Sequence, residues 1–479
     1  MRKRTKIVCT LGPASATKAA ITAMVQAGMN VARLNFSHGT YENHETLINN
    51  IRAVEKETGE PIAILQDLQG PKIRLGALPA DGIIVGPKET VVFDTALDTV
   101  QGGRIPVEYR SLGEVVAPGQ RLLINDGRVE MKIQAVRGSE ITAVTTVGGL
   151  LTAHQGINVP EATFIDSCLT EKDLADARFG VLHEVDMIAL SFVTRAKEII
   201  DLRYFIKEWE KENGKKEKFP IRIIAKIERA GALTRIEEVI AAADGIMVAR
   251  GDLGIETPPQ DVPLAQKRLV DAALAAAKPV IVATQMLDSM QKNPRPTRAE
   301  VSDVANAVID HADALMLSNE TAVGDYPVET VRMMSDIIAE TEKSLYDDLE
   351  LVVRPGRHRP IDDIMSQLAR VLAEEVKAKV ILAASLSGDT GRLISRHRPE
   401  LPIVVGTSTR RVLRQLNLSW GVRPFLLEPC ATIEELVERS LIYLKHQKIA
   451  RSGDKIIVVA GEPVGHAGHV NLLEVRSVP

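Results

Sequence analysis

Residues 221–228 read IRIIAKIE, an apolar run that closes on Lys226 and Glu228. Side chains on a strand alternate faces, so these two share one face and Ile227 takes the other. A buried strand that ends in a cation beside an anion can do chemistry. The next apolar run, GIMVARGDLG at 245–254, ends in Arg250, Gly251 and Asp252. Glu228 and Asp252 offer the hard oxygen donors that suit Mg²⁺. Lys226 beside them is of the type that neutralises a phosphoryl group. Taken singly, the same residues fit structural salt bridges at strand ends.

The pattern recurs down the chain, and that favours a site. Apolar runs end in Arg33, Asn35, Ser37 and His38; in Asp67, Leu68 and then Gln69-Gly70-Pro71-Lys72-Ile73-Arg74; in Thr284 and Gln285; and in Ser318, Asn319 and Glu320. Several cations and carboxylates at one mouth suit phosphoryl transfer, which needs Mg²⁺, positive charge and in-line placement more than covalent help. Gly251 would let backbone N–H groups approach a small anion. Thr284 or Ser318 alone fits a helix N-cap as well; a lone Arg33 or His38 fits a strand-end surface group.

Eight short apolar runs must position these residues: 6–10, 31–36, 62–68, 187–192, 221–227, 245–249, 279–286 and 314–318. Helical patterns separate them, near 17–27, 41–58, 170–179, 196–213, 232–243, 263–277, 298–310 and 327–345. Strand and helix alternate, so a parallel sheet follows, and eight such units make a (β/α)8 TIM barrel with its site at the C-terminal strand ends. The gap from 62 to 187 is too long for one unit of roughly 30 residues. Within it LLINDGRVEMKIQAV alternates about Asp126-Gly127, a hairpin signal. We read 72–163 as an inserted small β-barrel lid domain, 1–71 and 164–349 as the barrel, and 350–479 as a C-terminal open α/β domain reached through RPGRHRP at 354–360.

Composition narrows the partners. The chain has 479 residues, 45% hydrophobic and 25% charged, as in globular proteins. A net charge of −4 and 3% aromatic residues give no reason to expect nucleic acid or an anionic membrane. The basic start MRKRTKIVCT lacks the apolar core of a secretory signal, and no run of 18 apolar residues could span a bilayer. Three dispersed cysteines suggest no disulfide framework and fit a reducing, cytoplasmic setting.

ARLNFSHG, DLQGPKIR, IIAKIE, MVARGDLG, ATQMLDSM, PTRAEVSDVANAV and MLSNETAVGDYP occur in that order and resemble the pyruvate kinase family. The similarity runs from about residue 4 to the C-terminus, insertion included. The resemblance implies transfer of phosphate from phosphoenolpyruvate to ADP, giving pyruvate and ATP, in a homotetramer with a closing lid and a regulatory domain. It implies that Lys226 stabilises the phosphoryl group in flight and that Glu228 and Asp252 hold Mg²⁺ or Mn²⁺. Arg33, Lys226, Gly251, Asp252 and Thr284 would bind phosphoenolpyruvate. Asn35, His38, Arg74 and Lys172 would lie along the nucleotide phosphates, and Thr284 and Ser318 near the proton relay to the enolate.

Three departures carry expectations. Lys72 stands where K⁺-dependent members have Glu; a fixed ammonium supplies the charge of a bound cation. The family's K⁺ pocket maps to Asn35, Ser37, Asp67 and the Leu68 carbonyl, and K⁺ is expected not to be required. Asn319 replaces a small residue and tolerates left-handed geometry. The loop SLSGDTGR follows a strand and opens a helix; in the family it binds a phosphorylated effector, here through Ser385, Ser387, Gly388, Thr390 and Gly391. An ordinary capped turn fits it too. Asp389 would repel phosphate and basic partners are not obvious, so AMP or a sugar monophosphate is favoured over a bisphosphate; Arg410 and Arg411 are candidate helpers. Two other functions fit parts of the pattern: a Mg²⁺ lyase or aldolase of the same barrel class, against which the insertion, Arg74 and Lys172 argue, and a non-catalytic sensor, which would have lost Lys226 or a metal carboxylate.

Overall fold

The computed structural model describes residues 3–162, 168–214, 219–350, 359–461 and 470–479. Eight strands close a barrel: Lys6–Thr10, Val31–Asn35, Ala63–Asp67, Met187–Leu190, Arg222–Ile227, Gly245–Ala249, Val280–Ala283 and Ala314–Leu317. All eight pairings are parallel, and the first strand meets the last, Lys6 opposite Ala314. Their runs are apolar on both faces because helices cover the outside and side chains fill the inside. Val8, Leu65, Met187, Ile224, Met247 and Met316 share that interior with Leu418, which comes from the C-terminal region and plugs the floor.

Helices follow the strands much as the apolar spacing requires. Tyr41–Thr58 and Glu171–Leu182 begin at Thr40 and Thr170, each with a capping box. The pattern at 232–243 divides into Ala230–Leu233 and Ile236–Ala242. Thr234 and Arg235 separate the two pieces, and the second ends on Ala243 with an extended backbone.

Between the third and fourth barrel strands the chain builds a separate, mainly antiparallel seven-stranded sheet around Leu75, Phe93, Ile124 and Met131. Its hairpin pairs Arg121–Ile124 with Val129–Arg137, and Asn125, Asp126 and Gly127 at the turn all have positive φ. The C-terminal region forms a five-stranded sheet. Val422–Leu426, Ile403–Thr407, Val380–Ala384 and Lys455–Ala460 are parallel, and Leu472–Ser477 adds an antiparallel edge. That edge strand escapes pattern reading because most of it is exposed or half-exposed. The expected linker at 354–360 lies mostly outside the described residues, as does the expected boundary at 163/164. No helix among the described residues is long and apolar enough to cross a membrane.

Candidate active site

The strand ends converge on Lys226. Its Nζ lies 2.8 Å from Glu228 Oε1 and 3.1 Å from Asp67 Oδ1, and it donates to Ser191 Oγ at 2.8 Å. Ser191 Oγ donates in turn to the Leu68 carbonyl at 2.6 Å. Arg33 donates from Nε to Asp67 Oδ2 at 2.6 Å and from Nη1 to Thr10 Oγ1 at 2.9 Å. The Phe192 N–H donates to Glu228 Oε2 at 2.7 Å. All four charged groups are nearly buried, with side-chain exposures of 10% for Arg33, 11% for Lys226, 1% for Asp67 and 2% for Glu228.

Charge decides the protonation states. Burial works against the Lys226 ammonium, but Asp67 and Glu228 outweigh it and push its pKa up. Burial also opposes the Asp67 carboxylate, yet Lys226 and Arg33 hold its pKa below the usual range. Glu228 is pushed up, first by burial and then by Asp252, with Lys226 pulling the other way. Two cations and two carboxyl groups are held together in one buried cluster.

Thr284 and Gly251 form the opposite wall. The Gly251 N–H donates to Thr284 Oγ1 at 2.8 Å, and Arg250 pins the Thr284 carbonyl at 2.7 Å while pairing with Asp303 at 2.7 Å. Thr284 has φ 74° and Gln285 φ 55°. For a β-branched residue that backbone stores strain, which surrounding contacts must hold. A Cβ on Gly251 would meet Thr284 Oγ1 at an ordinary 3.4 Å, so local crowding does not demand glycine there. Gly70 is different: at φ +71° a Cβ would sit 2.7 Å from the Phe192 ring. Its N–H donates to Asp173 Oδ1 at 2.9 Å, which fixes the segment that carries Lys72 and Arg74.

The remaining residues expected from sequence are less embedded. Lys172 donates to Asp176 Oδ2 at 2.6 Å and to the Phe36 carbonyl at 2.8 Å, and its side chain is 50% exposed. Arg74 donates to the His154 carbonyl of the inserted sheet at 3.0 Å. His38 is exposed; partial burial, Lys72, Arg74 and Arg33 all depress its pKa. Lys72 is exposed to solvent, yet its pKa is depressed, first by desolvation, with Asp252 and Glu228 favouring the ammonium and Lys226 and Arg74 opposing it. Those interactions bring Lys72 into the field of the main cluster. Ser318 N–H donates to Glu320 Oε2 at 2.7 Å. Asn319 opens the short helix Asn319–Ala322 and has no positive φ, so its left-handed tolerance goes unused.

Oxygens of the expected K⁺ pocket are engaged. Asn35 Oδ1 accepts from Ser37 N–H at 3.2 Å, Asp67 faces Arg33 and Lys226, and the Leu68 carbonyl accepts from Ser191. For a divalent ion the protein offers Glu228 and Asp252, which interact electrostatically. Among the described residues no group of three or more His, Cys, Asp or Glu is arranged to hold a metal. Two carboxylates fit Mg²⁺, which keeps waters and takes other oxygens from substrate phosphates.

The C-terminal loop corrects one expectation. Asp389 does not stand alone: Arg392 pairs with it at 2.7 Å, and Arg222, from the base of the fifth barrel strand, lies at 3.4 Å. Against the opposing effect of burial, Arg392, the Ser387 hydroxyl and Arg222 hold the Asp389 pKa at about 2. Sequence distance hid Arg222. Arg411 is not a helper, because it is buried against Glu210 at 2.6 Å. Reading the sequence also missed Ser191 and Thr10. Both obey the strand-end rule, since they close the fourth and first barrel strands.

Comparison with known proteins agrees along the chain. Residues 2–331 match the family profile "Pyruvate kinase, barrel domain", and residues 363–476 match "Pyruvate kinase, alpha/beta domain". A pyruvate kinase of Agrobacterium vitis is 44% identical, with 99% of this chain and 98% of the relative covered. One of Geobacillus stearothermophilus is 41% identical, covering 100% and 81%. The crystal structure of a pyruvate kinase from Cryptosporidium parvum superposes with a TM-score of 0.91 at 32% identity, covering 100% of this chain and 96% of that one.

Proposed function

This chain belongs to the pyruvate kinase family, and we propose that its barrel mouth moves the phosphoryl group of phosphoenolpyruvate to ADP, giving pyruvate and ATP. The observation that carries this reading is the Lys226 ammonium, buried among Asp67, Glu228 and Ser191 at the strand ends. The bond from phosphorus to the enol oxygen breaks, and one to a terminal ADP oxygen forms. Lys226 offsets the charge on the group in transit, and Arg33 holds it from the strand-two side. Gly251, Asp252 and Thr284 take the rest of phosphoenolpyruvate, while Asn35, His38, Arg74 and Lys172 face the nucleotide. The enolate left behind gains a proton through the region of Thr284 and Ser318.

Glu228 and Asp252 would hold Mg²⁺, or Mn²⁺, which supplies Lewis-acid neutralisation of the phosphate oxygens. K⁺ is not required, because Lys72 brings a fixed positive charge into the same field. The inserted sheet closes over the site and excludes water, which protects the phosphoryl group from hydrolysis.

A phosphorylated effector, AMP or a sugar monophosphate, binds the loop through Ser385, Ser387, Gly388, Thr390 and Gly391. Arg222 and Arg392 stand beside it, each paired with Asp389. The activity resides in a cytoplasmic homotetramer; the free state of Cys9, Cys168 and Cys430 is consistent with that compartment. Pyruvate formation from phosphoenolpyruvate, ADP and Mg²⁺, with K⁺ and Na⁺ excluded, tests the whole reading. Full activity is expected. Activity only after K⁺ is added removes the Lys72 role, and none under either condition removes the reaction.

A further inference from the structure

The C-terminal sheet docks on the barrel floor, at the end opposite the reacting groups. Leu418 plugs the interior, Asn417 Nδ2 donates to the carbonyls of Asn30 and Pro61 at 3.0 and 2.6 Å, and Trp420 lies between Arg4 and Arg398. Along this seam runs a crevice lined by Lys278 and Asp313 from the barrel and by Arg392, Arg396, Arg398 and Ser419 from the C-terminal region. It has about 10 Å³ of space for the centre of a water-sized sphere, which is room for one small group.

Cations outnumber carboxylates in the lining of the crevice. Arg392 pairs with Asp389, Arg396 with Asp363, and Arg398 with Asp313 at 3.0 Å. Asp313 is fully used, since it also accepts the N–H groups of Val280 and Trp420. Lys278 donates to three carbonyls, of Ile240, Ala241 and Ala243, and forms no carboxylate pair within 4.0 Å among the described residues. Lys278 is half-buried, and Asp244 is the carboxylate that most favours its ammonium. Two polar atoms are left over: Arg398 Nε and Ser419 Oγ have no hydrogen-bond partner among the described residues and belong to residues only 2% and 1% exposed. Buried donors without acceptors are costly.

We infer that the crevice is a binding site for one monovalent inorganic anion, chloride in ordinary salt, held by Arg398 Nε, Ser419 Oγ and the charge of Lys278. A single halide satisfies both donors, sits among the cations that line the crevice and fits a space for one atom. Burial and then the arginines around it depress His397 to about 3; burial and then Arg398 depress His311 to about 4; burial and then Arg222 bring Arg392 down to about 10. Because the ligands come from both sides of the seam, the ion fastens the C-terminal region to the start of the seventh barrel strand at Val280, two residues after Lys278 and four before Thr284.

Crystals soaked in bromide test the site directly, because bromide scatters anomalously and water does not. The expected result is an anomalous peak within hydrogen-bond reach of Arg398 Nε and Ser419 Oγ; an ordered water there without anomalous signal overturns the inference. In solution, thermal melting of the full chain in chloride against gluconate, at matched ionic strength, is expected to show a higher midpoint in chloride. That difference should vanish in Lys278→Met and persist in Lys278→Arg. An equal difference in Lys278→Met, or none in the parent protein, also overturns it. Lys278 touches none of the reacting groups, so turnover should be retained in both variants.

Discussion

The two sides of the barrel mouth are built differently. On the phosphoryl side, Arg33, Lys226, Asp67 and Glu228 are buried and hold one another at 2.6–3.1 Å. On the side proposed for the nucleotide, His38 is exposed, Lys172 is half-exposed and Arg74 reaches into the inserted sheet. A preorganised buried charge needs no rearrangement when the transition state forms, and low dielectric makes it count for more. Exposed cations attract and orient a mobile polyphosphate but are screened by water and salt. Under the proposed function, the fixed half would serve the bond change and the loose half the arrival and departure of the nucleotide.

Removing the central cation breaks the fixed half most severely. Lys226→Met should cut turnover at least ~10³-fold, read by steady-state kinetics. From sequence alone little effect on folding would be expected. The structure changes that expectation, because Asp67 and Glu228 would be left buried without their shared partner. A destabilisation of about 3–5 kcal/mol follows, measurable by denaturant melts. Turnover near that of the parent protein would remove Lys226 from the mechanism.

A smaller effect is expected from Asp67→Asn, which tests the cluster through pH. The folded Asp67 pKa lies below its ordinary 3.8. Its contribution to stability is complete above that ordinary value and is lost as pH falls through the lower folded one. The acid limb of the melting-temperature profile should therefore flatten in Asp67→Asn. Lys226 has the opposite sign: its pKa is raised, so its contribution is complete below the ordinary lysine range and is lost as pH rises through the folded value. An unchanged acid limb would show that Asp67 does not anchor the cluster.

On the exposed side, Lys172→Met should raise the KM for ADP by roughly tenfold or less, with kcat nearly unchanged, since about 1 kcal/mol is typical of an exposed ionic contact. Added salt should raise the same KM and leave the KM for phosphoenolpyruvate less affected. Equal salt sensitivity on both sides would erase the distinction. Lys72→Glu is expected to have the most conditional effect: low activity without K⁺ and recovery with it. Insensitivity to K⁺ in that variant would end the cation-substitution reading.

Much of this molecule is legible in its sequence, for local reasons. Runs buried on both faces stay apolar, and a two-residue spacing puts Lys226 and Glu228 on one face of a strand. The strand-end rule then collects Arg33, Asp67, Gly251 and Thr284 before any contact is known. Pairings between distant segments are not written locally. Nothing near Asp67 in sequence says that it clamps both Arg33 and Lys226, and nothing near Asp389 announces Arg222, 167 positions away. The half-exposed strand Leu472–Ser477 shows too little apolar alternation to be read, and the seam crevice exists only where Asp313 meets Arg398. Periodicity records which face each residue presents to its neighbours in the chain; folding alone decides which charges are left to balance one another across the space between.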